Sequence, residues 1–467
     1  MNDFNAKKIS GTGWSGLVIQ LKDSDDFDLL KLVESMPEKY PFFLESSSRG
    51  NDQNRNSIVF YKPNIVLKKE KNQSMNLLKE FDTLWQKNKI NQNETVFDNR
   101  KIPFCGGWFV YLGYELANEI EEKIDIPNSP YLLPDAFIAR VHSSIIFDHI
   151  SKRIIITSDR TNELNDIDDM LSDLNNLKPE SSEEKANGYI KIHSKGSSDE
   201  HQNQVRTCID YIYQGEIFQA NLSRLWRFKI QDNLSDVNIY KQLREKNPSP
   251  FAGIVRFNDS TIISSSPERL ISISGKHLQT RPIAGTRPRG RSALLDIELT
   301  KELINSDKEK AEHLMLVDLE RNDISKVCEA GSVRVDEMMT IETYAHVHHI
   351  VSNISGIKKN NISPGDAIRS VFPGGTITGC PKFRCMEILG ELEKQGRGPY
   401  TGSFGYVTHN GDMDLNILIR TILKENNDLF FRAGGGIVAD SIPQNETLET
   451  EAKANGMLRA VGSFKNE

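Results

Sequence analysis

"AGIVRF" at 252–257, "TIISSS" at 261–266 and "RLISIS" at 269–274 are three short runs rich in β-branched residues, and each reads as a strand. Working outward, "SIIFDH" (144–149) and "RIIITS" (153–158) bracket a short turn and read as a hairpin. "PFCGGWFVYLGYELA" (103–117) reads as a buried, glycine-containing strand that leads into a helix near Tyr114. Val205, Ile209 and Ile212 repeat at helical spacing, so a helix is expected from about residue 200. Strand runs and helix runs both occur without strict βαβ alternation. That pattern predicts an α+β fold with antiparallel sheet and flanking helices. Residues 159–202 are strongly polar and read as an exposed helix plus a linker. A boundary near residue 190 would divide an N-terminal region, 1–190, from a C-terminal one, 191–467.

The bulk properties narrow the function. The chain has 467 residues, 37% of them hydrophobic, enough for a sizeable core, and a formal net charge of -7. No global basic field is present to draw nucleic acid. No apolar run approaches the ~20 residues of a membrane span. The five cysteines, Cys105, Cys208, Cys328, Cys380 and Cys385, form no C-x-x-C pair, so reduced thiols and a cytoplasmic location are expected.

Two segments carry acids at helical spacing. In "INSDKEKAEHLMLVDLERND" (304–323), Ser306 and Glu309 fit a capping box, so a helix starts at Asp307. Glu309 and Glu312 then fall one turn apart, with Leu314, Met315 and Leu319 assigned to the buried side. In "NETLETEAKANGMLRAVG" (445–462), Glu446, Glu449 and Lys453 again share a face. Each stripe taken alone reads first as a solvated surface, since most helical glutamates are surface residues. Two carboxylate pairs from separate helices are also what a hard divalent cation such as Mg²⁺ needs.

Other stretches look suited to an anion. "RPIAGTRPRG" (281–290) holds three arginines and no acid. "FPGGTITGCPKFRCMEILGELEKQG" (372–396) is a glycine-rich loop entering a helix, with Pro381 in its first turn and Gly396 at its stop. Cys380 stands where a P-loop requires lysine, which argues against a nucleotide phosphate site. "FRAGGGIVADS" (431–441) reads either as an amide-rich turn at Gly434, Gly435 and Gly436 or as an irregularity within a sheet. "TYAHVHHIVSNISG" (343–356) alternates like a strand, placing Ala345, Val347, His349 and Val351 on the apolar face. In "MDLNILIRTI" (413–422), Asp414, Asn416 and Arg420 are read as sharing a face.

Together these segments resemble the chorismate-utilising enzymes, a family that includes aminodeoxychorismate synthase component I, anthranilate synthase component I and the isochorismate and salicylate synthases. "SSSPERL", "RPIAGTRPRG", "AEHLMLVDLERND", "HHIVS", "FPGGTITGCPK", "RGPYTGSFGYV", "MDLNILIRT", "GGGIVADS" and "ETLETEAKA" occur in family order. The likeness is dense from about 200 to 467, and "PFFLESSS" and "GGWFVYLGYE" extend it toward the N-terminus.

The resemblance implies an anthranilate synthase component I-like fold, a large sandwich of two antiparallel β-sheets flanked by helices, with residues 1–190 interleaved with the catalytic region 191–467. It implies chorismate as the anion and Mg²⁺ held by Glu309, Glu312, Glu446 and Glu449. Arg420 and Tyr400 would hold the enolpyruvyl carboxylate, Thr376 and Gly434–Gly436 would complete the cradle, and Lys453 would balance the metal-site charge. Glu268 would be the general acid for the departing C4 hydroxyl, and His349 would face the ring from the pocket that Ala284 and Thr286 also line. In several members the third residue of "PI-x-GT" is a lysine that acts on the ring chemistry; here it is Ala284, so ammonia must attack directly. "FQANLSR", "NPSPFAG", "GGTITGCPK" and "MDLNILIRT" are worded more like aminodeoxychorismate synthases, whereas "PIAGTRPRG" matches anthranilate synthases. The favoured expectation is amination to 4-amino-4-deoxychorismate, with anthranilate synthesis second. A nucleotide-binding or regulatory protein with a degenerate site is the alternative from another class. No cysteine lies in a G-x-C-x-G nucleophile turn, so ammonia is expected from a separate glutamine amidotransferase subunit.

Overall fold

The computed structural model describes all residues except 1–5, 23–26, 48–54, 91–94, 99, 161–164, 178–188, 231–233, 345–346, 462 and 465–467. The three opening runs are strands, Phe251–Phe257, Ser260–Ser266 and Arg269–Ser274. The first two form an antiparallel hairpin. At Pro267 and Glu268 the chain leaves that sheet, and the third strand pairs in a different one, with His277–Arg281 and Met413–Asn416.

Two large sheets result. Among the described residues one has fourteen strands and runs from Ala6–Gly11 through Arg153–Ser158, Phe42–Glu45, Phe251–Phe257 and Thr421–Glu425 to Asp428–Ile437 and Gln219–Ile230. The other has ten and includes Ile283–Pro288, Val347–Ile357, Arg269–Ser274, Ser403–Thr408, Gly107–Leu112 and Ala136–Val141. Pairing is antiparallel except where Tyr189–Lys195 meets Ser463–Phe464. Both sheets draw strands from either side of residue 190: Phe42–Glu45 pairs with Phe251–Phe257, and Gly107–Leu112 with Ser403–Thr408.

The layering explains the continuous apolar runs. Side chains alternate across a strand. Phe42, Val255 and Ile262 therefore enter the core between the sheets with Phe109, Phe137 and Phe404. Their neighbours Phe43, Ile254 and Ile263 enter a second core beneath outer helices. The Phe42 and Phe109 rings stack at 4.4 Å and the Phe137 and Phe257 rings at 4.8 Å, bridging one sheet to the other. A third core lies on the far face of the ten-stranded sheet, where Val317, Ile324 and Ile368 cover Ile271, Leu278 and Ile354. Both faces of each sheet are thus covered at its centre, while strands such as Ala6–Gly11 and Arg334–Thr343 stay largely exposed and polar.

The helix at Asn165–Asn175 departs from its expected exposure: Ile167, Met170 and Leu174 are buried against the sheet. Asp and Asn dominate its composition, but its few apolar residues fall at i, i+3 and i+7. Of the remaining stretch expected to be linker, 178–188 lies outside the described residues, whereas Tyr189–Lys195 is a strand and a helix begins at Ser198, so the segment near 190 is part of the sheet and not a linker.

Candidate active site

The three glycines form neither a turn nor a loop. They belong to the strand Asp428–Ile437, with Gly434, Gly435 and Gly436 opposite Ser223, Leu222 and Asn221 of Gln219–Ile230. Their need is for side-chain space. A Cβ on Gly434 would stand 2.8 Å from the Tyr400 hydroxyl oxygen; one on Gly435 would stand 3.4 Å from Glu449 Oε1 and 3.5 Å from Glu446 Oε2; one on Gly436 would overlap the Gln219 amide and stand 3.1 Å from Glu312 Oε1. Tyr400 and Glu312 thus approach the bare strand at Gly434 and Gly436, and Glu446 and Glu449 approach it at the intervening Gly435.

Two helices bring those carboxylates in. Ser306 caps Asp307–Ser325, its Oγ accepting from the Glu309 N–H at 3.3 Å. The buried face of this helix includes His313, Leu316, Val317, Glu320, Asp323 and Ile324, while Leu314 is 51% exposed, so three polar residues that a purely apolar reading passes over are buried on it. Glu446 and Glu449 come from Pro443–Val461. Lys453 ties that helix to the bare strand: its Nζ donates to the Gly434 carbonyl at 2.8 Å and pairs with Glu449 at 2.7 Å. Glu309 stands apart, ion-paired with Arg287 at 3.2 Å and facing Gly285, where a Cβ would lie 2.8 Å from its Oε2.

The four carboxylates suit Mg²⁺ in kind, being hard oxygen donors. As placed they face protein partners: Glu312 Oε1 accepts from Gln219 Nε2 at 2.8 Å and Glu446 Oε1 from Ser441 Oγ at 2.7 Å. Among the described residues no three His, Cys, Asp or Glu side chains are gathered as a ready metal-holding group. Glu312, Glu446 and Glu449 nonetheless approach adjacent residues of one strand, and carboxylate oxygens are the donor type a hard divalent ion takes.

The other wall lies where the chain crosses between sheets. Glu268, in the Ser266–Arg269 crossing, is 4% exposed. Burial pushes its carboxyl up to about 8, and the charge of Glu320 pushes the same way. Arg420 opposes this, as does the Thr376 hydroxyl, which lies near Glu268 without a hydrogen bond of normal geometry. His349 is 3% exposed, with Nδ1 2.9 Å from Thr286 Oγ1. Burial, aided by the charge of Arg420, lowers its imidazole to about 3, so it is neutral near pH 7. Arg420 sits in the left-handed region at φ 51, uncommon for a long side chain and a mark of local strain. Among the described residues its guanidinium has no ion pair; Tyr344 and Glu268 are the groups that act on it. Glu268 Oε1, His349 Nε2, Thr376 Oγ1, Gln219 Oε1 and Asn221 Oδ1 are all buried without a hydrogen-bond partner. Buried polar atoms in this state are rare, and several facing one region mark a ligand site.

Three expectations need correcting. The arginines of "RPIAGTRPRG" do not await an anion: Arg281 pairs with Glu337 and Glu342, Arg287 with Glu302 and Glu309, and Arg289 with Asp296. Most of the stretch is strand Ile283–Pro288, with Ala284 buried opposite Ile350 and Gly285 bulging at φ 61. Asp414 and Asn416 do not share a face with Arg420, because Met413–Asn416 ends and the chain crosses to the other sheet before Thr421. The glycine-rich loop does not present a row of open amides: Ile377 and Thr378 donate back to Gly374 and Gly375, and the helix Lys382–Glu393 ends on Lys394 at φ 56, not on Gly396. Ala345 lies outside the described residues.

Gln219 and Asn221 were not singled out from the sequence. They lie at i and i+2 on a strand face that continues with Ser223, Arg227 and Lys229, so nothing local set them apart.

A family model described as chorismate binding enzyme matches residues 40–459. The chain is 38% identical to aminodeoxychorismate synthase component 1 of Bacillus subtilis, covering 96% of each chain. It is 35% identical to anthranilate synthase component 1 of Acetivibrio thermocellus, covering 90% of each. Its fold is similar to the crystal structure of anthranilate synthase component I from Streptococcus pneumoniae, with TM-score 0.76 and 30% identity over 94% of this chain and 95% of that one. No helix among the described residues is long and apolar enough to cross a membrane.

Proposed function

This chain belongs to the chorismate binding enzyme family, and from that premise we propose that it aminates chorismate with ammonia to give 4-amino-4-deoxychorismate. The observation that carries the reading is the placement of a buried acid, Glu268, whose carboxyl burial raises to about 8, near Arg420, whose guanidinium has no ion pair among the described residues. Arg420 and Tyr400 suit the enolpyruvyl carboxylate, since guanidinium pairs such groups strongly. Ammonia forms the new C–N bond; the ring C–O bond breaks, and its oxygen takes the Glu268 proton and leaves as water. The nitrogen returns one proton. Ala284 can serve neither as nucleophile nor as base, which leaves direct attack by ammonia.

Glu312, Glu446 and Glu449 are the residues that would hold Mg²⁺, which when bound supplies a Lewis acid at the ring carboxylate, while Glu309, expected to join them, pairs with Arg287 instead. Lys453 balances that acidic cluster. Neutral His349 faces the ring through Nε2, with Thr286 fixing the imidazole from the other side. Thr376 and Gly434–Gly436 shape the cradle. A glutamine amidotransferase subunit is the proposed ammonia source.

A second reading, release of anthranilate and pyruvate, is favoured by Ala284 within "PIAGTRPRG" and by the 35% identical relative. Incubation with chorismate, Mg²⁺ and ammonium salt separates the two. 4-Aminobenzoate forming only after a lyase is added supports amination at C4; anthranilate without added lyase supports the second reading; unchanged and unbound chorismate overturns both. Glu312→Gln and Glu449→Gln are each expected to lower kcat by about 10²-fold or more with an unchanged far-ultraviolet circular dichroism spectrum. Mg²⁺-dependent turnover persisting in both would remove the metal assignment.

A further inference from the structure

We infer that Arg224 is a positioning residue for the metal-binding carboxylates: its buried guanidinium clamps the helix Pro443–Val461 in the rotation that turns Glu446 and Glu449 toward Gly435. The inference rests on those two glutamates helping to hold a divalent cation.

Arg224 lies on the strand Gln219–Ile230, opposite Ala433 in the ladder and two residues from Leu222, the partner of Gly435. Residues two apart on a strand share a face, so Arg224 stands on the same side of the sheet as Gly435. Its side chain is 2% exposed and its guanidinium lies over the Trp226 ring at 5.1 Å. Nη1 reaches the helix, donating to Thr450 Oγ1 at 3.1 Å and to Glu451 Oε1 at 3.4 Å. Nη2 reaches the other way, donating to the Gly196 carbonyl at 2.6 Å and to Ser198 Oγ at 3.2 Å. One planar group thus joins the strand, the helix and the start of a second helix, Ser198–Tyr213.

That second helix adds two links of its own. Ser198 Oγ donates to Glu451 Oε1 at 3.3 Å. One turn nearer the start of Pro443–Val461, Nδ1 of the buried His201 lies 2.8 Å from Thr447 Oγ1. The Thr447 hydroxyl gives its own proton to the Pro443 carbonyl at 2.9 Å, so the imidazole is the donor of the shared bond.

Thr447, Thr450 and Glu451 fall at i, i+3 and i+4 and form one face of the helix. Glu446, Glu449 and Lys453 form the neighbouring face, about a third of a turn round. Any rotation that breaks the first set therefore carries the second away from Gly435. The rest of the seam is Ala454, Met457 and Leu458, whose apolar contacts have no preferred direction. A guanidinium holds its acceptors in one plane, and a buried one that loses them finds no water in exchange. The clamp, not the apolar seam, sets the rotation.

The test is a titration of the whole chain with Mn²⁺, an oxygen-seeking stand-in for Mg²⁺. Binding is read from loss of the free-ion electron paramagnetic resonance signal, with chorismate present and ammonium absent. Arg224→Met is expected to raise the Kd for Mn²⁺ about tenfold, the effect of losing a contact that supports a metal ligand, with the number of sites unchanged. Arg224→Lys keeps the charge but not the fork, and should fall between. The direction separates causes. Removing a nearby positive charge would by itself tighten cation binding, and instability by itself would reduce the number of sites without moving Kd. An unchanged or lowered Kd in Arg224→Met overturns the inference. If thermal melts show that Arg224→Met does not fold, Thr450→Val replaces it. That change keeps the volume and removes the acceptor on the helix, so it must weaken binding too, and an unchanged Kd there overturns the inference. A wild type that takes up no Mn²⁺ defeats the metal assignment and this inference with it, whereas wild type and variants binding equally well defeat this inference alone.

Discussion

Glu268→Gln is expected to lower kcat by about 10²–10⁴-fold, the usual contribution of a positioned general acid, while chorismate still binds. The amide preserves shape but has no proton to give the leaving oxygen, and Arg420 and Tyr400, which suit the substrate carboxylate, are untouched. Stability gives an independent reading. The folded chain keeps the Glu268 proton up to about pH 8, whereas the unfolded chain releases it in the ordinary carboxylate range. Between those limits the native state binds more protons, so the wild type loses stability as pH rises. Gln has no such dependence. The melting temperature of Glu268→Gln relative to wild type should therefore climb between pH 5 and pH 8. Steady-state kinetics, a binding titration and melts at several pH values check all three. Turnover within tenfold of wild type would remove Glu268 from the mechanism.

Glu393→Ala is expected to cost about 3–5 kcal/mol of stability. Glu393 is buried with two arginines, pairing with Arg397 at 2.8 Å and Arg432 at 3.1 Å, and also accepts from the Ser223 amide and hydroxyl. Those contacts hold its carboxyl below its usual value despite burial. Truncating it leaves two buried guanidiniums facing one another without their anion. The effect reaches the active site, because Arg397 lies over the Tyr400 ring at 5.6 Å and Ser223 sits opposite Gly434. The variant should unfold at lower urea concentration with an unchanged slope and show a raised KM for chorismate. An unaltered urea midpoint would show that this triad does not support the fold.

How much of this was legible beforehand follows from which interactions are local. The runs at 252–257, 261–266 and 269–274 are strands because β-branched residues suit a pleated backbone, and Ser306 starts a helix because its hydroxyl caps an amide three residues on. Both preferences act within a few residues. The family likeness was legible for a different reason: its motifs occur in order. Less visible was anything that depends on a partner distant along the chain. "RPIAGTRPRG" looked like an anion receptor because its acids, Glu302, Glu309, Asp296, Glu337 and Glu342, come from other elements. Arg420 looked like one face of a strand because the crossing between sheets leaves no periodic mark.

The sequence by itself therefore determined the elements, the α+β class, the family and the identity of the acids that could serve as metal ligands or proton donor. The tertiary structure decided their use. It placed Gly434–Gly436 in a strand that Glu312, Glu446 and Glu449 approach, left Arg420 without an ion pair among the described residues while engaging the arginines at 281, 287 and 289, and raised Glu268 by burying it. The reason is physical: pairing and desolvation depend on distances through space, and the sheets that set those distances join residues hundreds of positions apart.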